Sequence, residues 1–162
     1  MSVPLKLVVD ANVWLDYYLD RGPRHDAAGK VIVAAAGERA ALYVTDGILK
    51  DFFFLFQQTL KETHRSDGLV IDANLAASIE ETAWACLRNI MHLALVVPLG
   101  AGEVWEAFAL RPRHGDFEDN LVIAAAKHAD ADYIVTADKK LRQRSPVPCL
   151  DIGEAASLEG VA

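Results

Sequence analysis

Cysteine is scarce in this chain: its 162 residues hold two, Cys86 and Cys149. They stand far apart and in no CxxC pair, which excludes a thiolate zinc site and a disulfide framework and leaves both to be read as buried thiols. Basic residues are in deficit. Sixteen Lys and Arg against 23 Asp and Glu leave a net charge of -7, which argues against a protein that coats nucleic acid by counterion release. No apolar run approaches the roughly 20 residues of a membrane span. The apolar stretch behind Lys6 ends at Asp10, too short for the h-region of a secretory signal, so a reduced cytoplasm is the expected location. No serine sits in a G-x-S-x-G elbow, and neither G-x-G-x-x-G nor a Walker A run appears, so nucleotide-cofactor chemistry has no support. The five histidines lack the spacing of a zinc site, and each reads as a surface or satisfied core residue. Repeats, linkers and low-complexity tracts are missing too.

What is present is globular: 52% apolar and 24% charged residues, enough for a real core in one domain spanning 1–162, with its core at about 5–150. Residues 5–10 form a continuous apolar, β-branched run, the pattern of a strand buried on both faces. Further strands are predicted at 41–45, 93–99, 133–136 and 147–150. Between them, helical spacing predicts helices over 12–19, 25–38, 46–65, 72–92, 103–110, 118–129 and 139–144, with Gly22-Pro23 as a break and Ser66-Asp67-Gly68 as a turn. Strands alternating with helices predict an α/β fold: a three-layer sandwich with a parallel five-stranded sheet flanked by helices. Ligand sites in such sheets lie at the carboxyl ends of the strands.

Acidic residues recur at those places. Asp10 and Asp138 directly follow strands, Asp51 lies in the helix after the second, and Asp116 and Asp119 open the Ala-rich helix that leads into the fourth. Taken singly, each has a structural explanation. Asp10, Asn12 and Asp138 are favoured N-cap types, Asp116-Phe-Glu-Asp119 resembles a capping box with Asp119 reaching back, and Asp51 fits an exposed helix surface. Taken together they point elsewhere, because carboxylates converging on one sheet edge repel one another unless protons or hard cations neutralise them. Caps also leave unexplained why Asp51 directly precedes the five apolar residues 52–56. A net-acidic protein can still hold RNA through local basic clusters, and three exist: Arg111 to His114, Lys139-Lys140 with Arg142 and Arg144, and Arg21 to His25. Each reads first as a solvated face and only second as an RNA contact.

The order of motifs resembles the PIN domain, the fold of VapC-type toxins and related metal-dependent ribonucleases. Val8-Val9-Asp10-Ala11-Asn12-Val13-Trp14 is similar to that family's opening strand with its D-x-N. Thr45 followed six residues later by Asp51 resembles the second motif, where Glu is more usual. Asp116-Phe-Glu-Asp119-Asn120 with the alanines to Ala126 resembles the third, and Ile134-Val-Thr136-Ala-Asp138 the fourth, T-x-D. The resemblance runs from about Leu5 to Leu150. It implies hydrolysis of RNA phosphodiesters by water held on one or two Mg²⁺ or Mn²⁺ ions ligated by Asp10, Asp119 and Asp138. Asp51 and Asp116 would act through water, and Asn12 and Thr136 would hydrogen-bond the ligands. A cognate antitoxin protein and a second copy of the chain are the partners it implies, with no membrane. Two other readings compete: a degenerate PIN domain serving as a binding or regulatory module, and a phosphatase using Asp10 as nucleophile with Lys139 nearby, although D-x-N lacks a second Asp to shuttle protons.

Overall fold

The computed structural model describes residues 3–162. Strands β1 (Leu5–Val9), β2 (Ala40–Val44), β3 (Ala94–Val96), β4 (Tyr133–Val135) and β5 (Cys149–Leu150) form one all-parallel sheet in the order β3-β2-β1-β4-β5. Helices α1 (Ala11–Tyr18), α2 (Pro23–Ala36), α3 (Asp46–Ser66), α4 (Ala73–Leu93), α5 (Ala101–Leu110), α6 (Phe117–His128), α7 (Lys139–Arg144) and α8 (Ile152–Ala156) join and flank the strands. This is the expected α/β architecture. With helices on both faces of the sheet, Leu7, Val8 and Val9 of β1 are all but fully buried, which is why that strand reads as a continuous apolar run.

The chain runs outward from β1 to β2 and β3, then crosses back to lay β4 against the other side of β1. The strand order therefore reverses beside β1. In open parallel sheets a ligand crevice opens at the carboxyl ends of the strands at such a reversal.

Several boundaries differ from the sequence expectation. Pro23 is the first residue of α2, not a gap before it; a fixed φ and a missing N–H suit that position. The third strand is three residues long, because α4 continues to Leu93 and pairing thins after Val96; Val97 still donates to the Val44 carbonyl at 2.8 Å, but Pro98 has no N–H to continue. Helix α8 was not expected. It begins in a reciprocal box, with Glu154 N–H donating to Asp151 Oδ1 at 2.9 Å and Asp151 N–H to Glu154 Oε2 at 2.8 Å. Cys86 and Cys149 are half-buried, not buried. On α3, Ile48, Phe52 and Phe56 at four-residue spacing face the core, while Phe54 and Leu55 are exposed. Among the described residues, no helix is long and apolar enough to cross a membrane.

Candidate active site

Where β1 ends, Asp10 caps α1, and both of its carboxylate oxygens are in use. Oδ1 accepts from the Ala11 N–H at 2.8 Å; Oδ2 accepts from Asn12 Nδ2 at 3.0 Å and from the Thr136 hydroxyl at 2.7 Å. Thr136 closes β4 and in turn accepts from the Asp138 N–H at 3.1 Å, while Asn12 Oδ1 accepts from the Ala137 N–H at 3.2 Å. Asn12 and Thr136 thus both hold Asp10, and together they tie the ends of β1 and β4. Asp138 caps α7, its Oδ1 accepting from the N–H groups of Lys140 and Leu141 at 2.7 and 3.0 Å.

The start of α6 is half of the box read from the sequence. Asp116 does cap the helix, accepting from the Asp119 N–H at 3.0 Å. The Asp119 side chain does not reach back. It turns to His114, whose Nε2 lies 2.6 Å from Asp119 Oδ2. His114 is a residue the sequence reading missed as part of the site, having taken it for one of the scattered histidines. It is 4% exposed, its carbonyl accepts from Asn120 Nδ2 at 2.8 Å, and its Nδ1 is buried without a partner. A bare ring nitrogen is cheaper to orphan than an N–H, so the proton belongs on Nε2, donated to Asp119.

Thr45 caps α3, accepting from the Ile48 N–H at 3.0 Å, and this sets Asp51 in the second turn. The Asp51 side chain is 42% exposed and its Oδ1 stands 3.4 Å from Lys50 Nζ, which also lies 3.5 Å from Glu118 Oε1. Asp10, Asp51, Asp116 and Asp119 line one cleft of about 420 Å³ together with Lys50 and Glu118. Asp138 faces an adjoining hollow of about 380 Å³, which shares Asp116 and Asp119 with the cleft. All five sequence-selected acids therefore border one or both of two hollows that share Asp116 and Asp119. Glu118, in the first turn of α6, is an additional acid there.

Electrostatics mark two of these groups. Burial pushes the Asp10 carboxyl up from its ordinary 3.8, against the pull of Thr136, Ala11 and Asn12, and the nearby Asp138 charge adds to the rise. Burial likewise raises Asp119, opposed by the His114 hydrogen bond and reinforced by Asp116 and Asp138. Ionising both is costly, and a bound cation would relieve that cost. The donor chemistry, carboxylate oxygens only, suits a hard divalent ion. Among the described residues, no three His, Cys, Asp or Glu side chains close on a point at ligand spacing; the acids ring the depression.

A family model for the PIN domain matches residues 6–140. The chain belongs to the PIN domain family. None of the curated proteins compared with this PIN domain matches it. Among solved structures, PAE2754 from Pyrobaculum aerophilum is similar over 91% of this chain and 90% of its own, with a TM-score of 0.58 and 17% identity. VapBC2 from Rickettsia felis, solved bound to a DNA fragment from its promoter, is similar over 91% of this chain and 98% of that chain, with a TM-score of 0.60 and 12% identity. At such identities the likeness concerns the fold.

Proposed function

We propose that this PIN domain is a Mg²⁺- or Mn²⁺-dependent endoribonuclease that hydrolyses phosphodiesters in single-stranded RNA, of the toxin type held in check by a small antitoxin. The observation that carries the reading is the pair of adjoining hollows that share Asp116 and Asp119, with Asp10 in one and Asp138 in the other, where burial and mutual charge hold Asp10 and Asp119 up. The fold likeness to VapBC2 supports the partner-bound, toxin-type form.

In this reading Asp10, Asp119 and Asp138 would hold the metal, with Asp116 and Asp51 acting through water. The bound ion would polarise the phosphoryl oxygen and lower the pKa of a water nucleophile. The chain's own groups do the positioning. Thr136 and Asn12 fix Asp10 Oδ2, and His114 fixes Asp119 Oδ2, which leaves Asp119 Oδ1 turned loose for a ligand. Asn12 offers no second carboxylate for a phosphatase's proton shuttle, and its amide is spent on Asp10.

Labelled single-stranded RNA incubated with the protein and Mn²⁺ should be cut, cutting should stop in chelator, and Asp10→Asn should lower the rate roughly a hundredfold or more, since a metal supplies several kcal/mol of transition-state stabilisation. Cleavage that survives chelation overturns the reading. The open ring of acids favours one alternative, a PIN domain kept as a binding module, and that alternative expects neither cleavage nor a Mn²⁺-dependent rise in melting temperature.

A further inference from the structure

The basic clusters of the sequence have different fates in the fold. Arg21 and Arg24 share the buried Asp16 at 3.6 and 3.7 Å, and Arg142 lies 3.2 Å from both Asp151 and Glu154, so those arginines are engaged in ion pairs within the fold. Arg111, Arg113, Lys140 and Arg144 form no ion pair among the described residues. They come from two segments about thirty positions apart, and the fold joins them: Arg113 Nε donates to the Arg144 carbonyl at 2.6 Å. Lys140 and Arg144 line the hollow that holds Asp116, Asp119 and Asp138. Cations that share a hollow with three carboxylates yet close no ion pair on them are left able to meet a polyanion lying across the rim.

An aromatic surface continues from the same place. A second hollow, of about 320 Å³, shares Gly115 with the first and is lined by Phe108, Arg111 and Phe117. Phe117 directly follows the cap residue Asp116. Its ring lies 5.9 Å from Phe108, which lies 5.6 Å from Trp105. These rings are 47%, 54% and 72% exposed, a large apolar surface to leave in water. Rings interleaved with guanidinium groups are what single-stranded nucleic acid uses, because every base has a stacking face and every linkage a charge.

We propose that Arg111, Arg113, Lys140 and Arg144, with the rings of Phe117, Phe108 and Trp105, form a track that holds single-stranded RNA on one side of the carboxylate depression. Its phosphates meet the cations while its bases stack on the aromatics. The track starts at the depression itself, through Asp116 and Gly115, so it engages nucleotides flanking the bond to be cut. A duplex cannot offer its base faces to the rings, and the track therefore selects single strands. This proposal rests on the nuclease reading for its substrate, yet it can be tested without turnover.

The test is fluorescence anisotropy with a labelled single-stranded RNA oligonucleotide in chelator, so that nothing is cut, on wild type, Phe117→Leu, Phe108→Ser and the double variant Arg111→Ser/Arg144→Ser. Loss of one stacked base should weaken binding about tenfold, and loss of two cations should lower the salt slope of log Kd by roughly 1.4. An oligonucleotide abasic at each position in turn should show one position at which Phe117→Leu costs nothing further. Circular dichroism and melting separate misfolding from lost contacts, and Arg111→Lys/Arg144→Lys should recover most of the salt slope. Unchanged RNA binding in all three variants overturns the track. So does an aromatic effect confined to sedimentation, which would make the patch a contact between copies. Aromatic-dependent binding without cleavage in Mn²⁺ would keep the track and reject the nuclease, whereas cleavage indifferent to these variants would keep the nuclease and reject the track.

Discussion

Two sets of carboxylates in this molecule, both near helix N-termini, are driven in opposite directions. Glu103, in the first turn of α5, accepts from the His128 ring and from the Gly100 N–H at 2.7 Å, and these bonds pull its pKa down to about 2. Asp10 and Asp119 also accept hydrogen bonds, three for Asp10, yet both are pushed up. Capping geometry alone therefore does not tell a structural acid from a site acid. The difference lies in the neighbours: the Glu103 side chain is no more exposed than that of Asp119, but donors dominate around Glu103, whereas burial outweighs the donors at the cleft acids and the like charge of Asp138, with Asp116 for Asp119, adds to it. A helix cap that stays uncomfortable after its hydrogen bonds are made is a candidate for a ligand still missing.

The contrast can be sharpened at His114, whose bond to Asp119 offsets part of that discomfort. His114→Phe should lower Mn²⁺ affinity and cleavage roughly 10- to 100-fold, as loss of a group orienting a metal ligand does, and His114→Gln should recover part of it by donating from Nε2. A Mn²⁺ titration followed by melting temperature measures the first quantity without turnover. Equal behaviour of the Phe and Gln variants would break the assignment of His114 as a positioning residue.

A smaller effect is expected at Asp51, whose half-exposed side chain is paired with Lys50. Asp51→Glu should keep or raise the rate, and Asp51→Ala should lower it by about tenfold or less, in line with groups that act on a ligand through water. Cleavage kinetics at saturating Mn²⁺ decide this, and wild-type rates throughout the series would move Asp51 to the structural side of the comparison.

The smallest signature is in pH-dependent stability. Asp10 and Asp119 titrate above their unfolded 3.8, so the stability they lend is fully present below 3.8 and lost as pH rises through their folded values. Glu103 behaves the other way: its contribution is present above 4.5 and lost as pH falls toward about 2. At neutral pH without metal, Asp119→Asn should melt a few degrees higher than wild type and Glu103→Gln slightly lower. Melting curves between pH 3 and 8 measure both, and shifts of the same sign would erase the distinction.

Much of this was readable in the chain. The apolar run before Asp10, the D-x-N and T-x-D spacings and the alanines of α6 fix strands, caps and sheet edge through local rules, because a strand end followed by a cap is a short-range signal. His114 was not readable, since its role depends on Asp119 rotating away from the capping position it could equally have taken. The basic segments 111–114 and 139–144 looked like separate solvated faces because the link between Arg113 and Arg144 exists only once α7 docks. Helix α8 did carry a local signal, the Asp151 and Glu154 box, but at five residues it has too little periodicity to stand out.

The reversal of strand order has a consequence in time. The Thr136 hydroxyl that holds Asp10 comes from 126 positions further along the chain, and β4 cannot pair with β1 until both exist. A polypeptide leaving the ribosome can lay down β1, β2 and β3 with Asp10 still lacking Thr136, Asp119 and Asp138. The carboxylate cluster is thus among the last parts to assemble, and such contacts between distant segments are slow to form. In the proposed nuclease, cleavage therefore waits until the segment carrying Asp119, Thr136 and Asp138 has been released and docked.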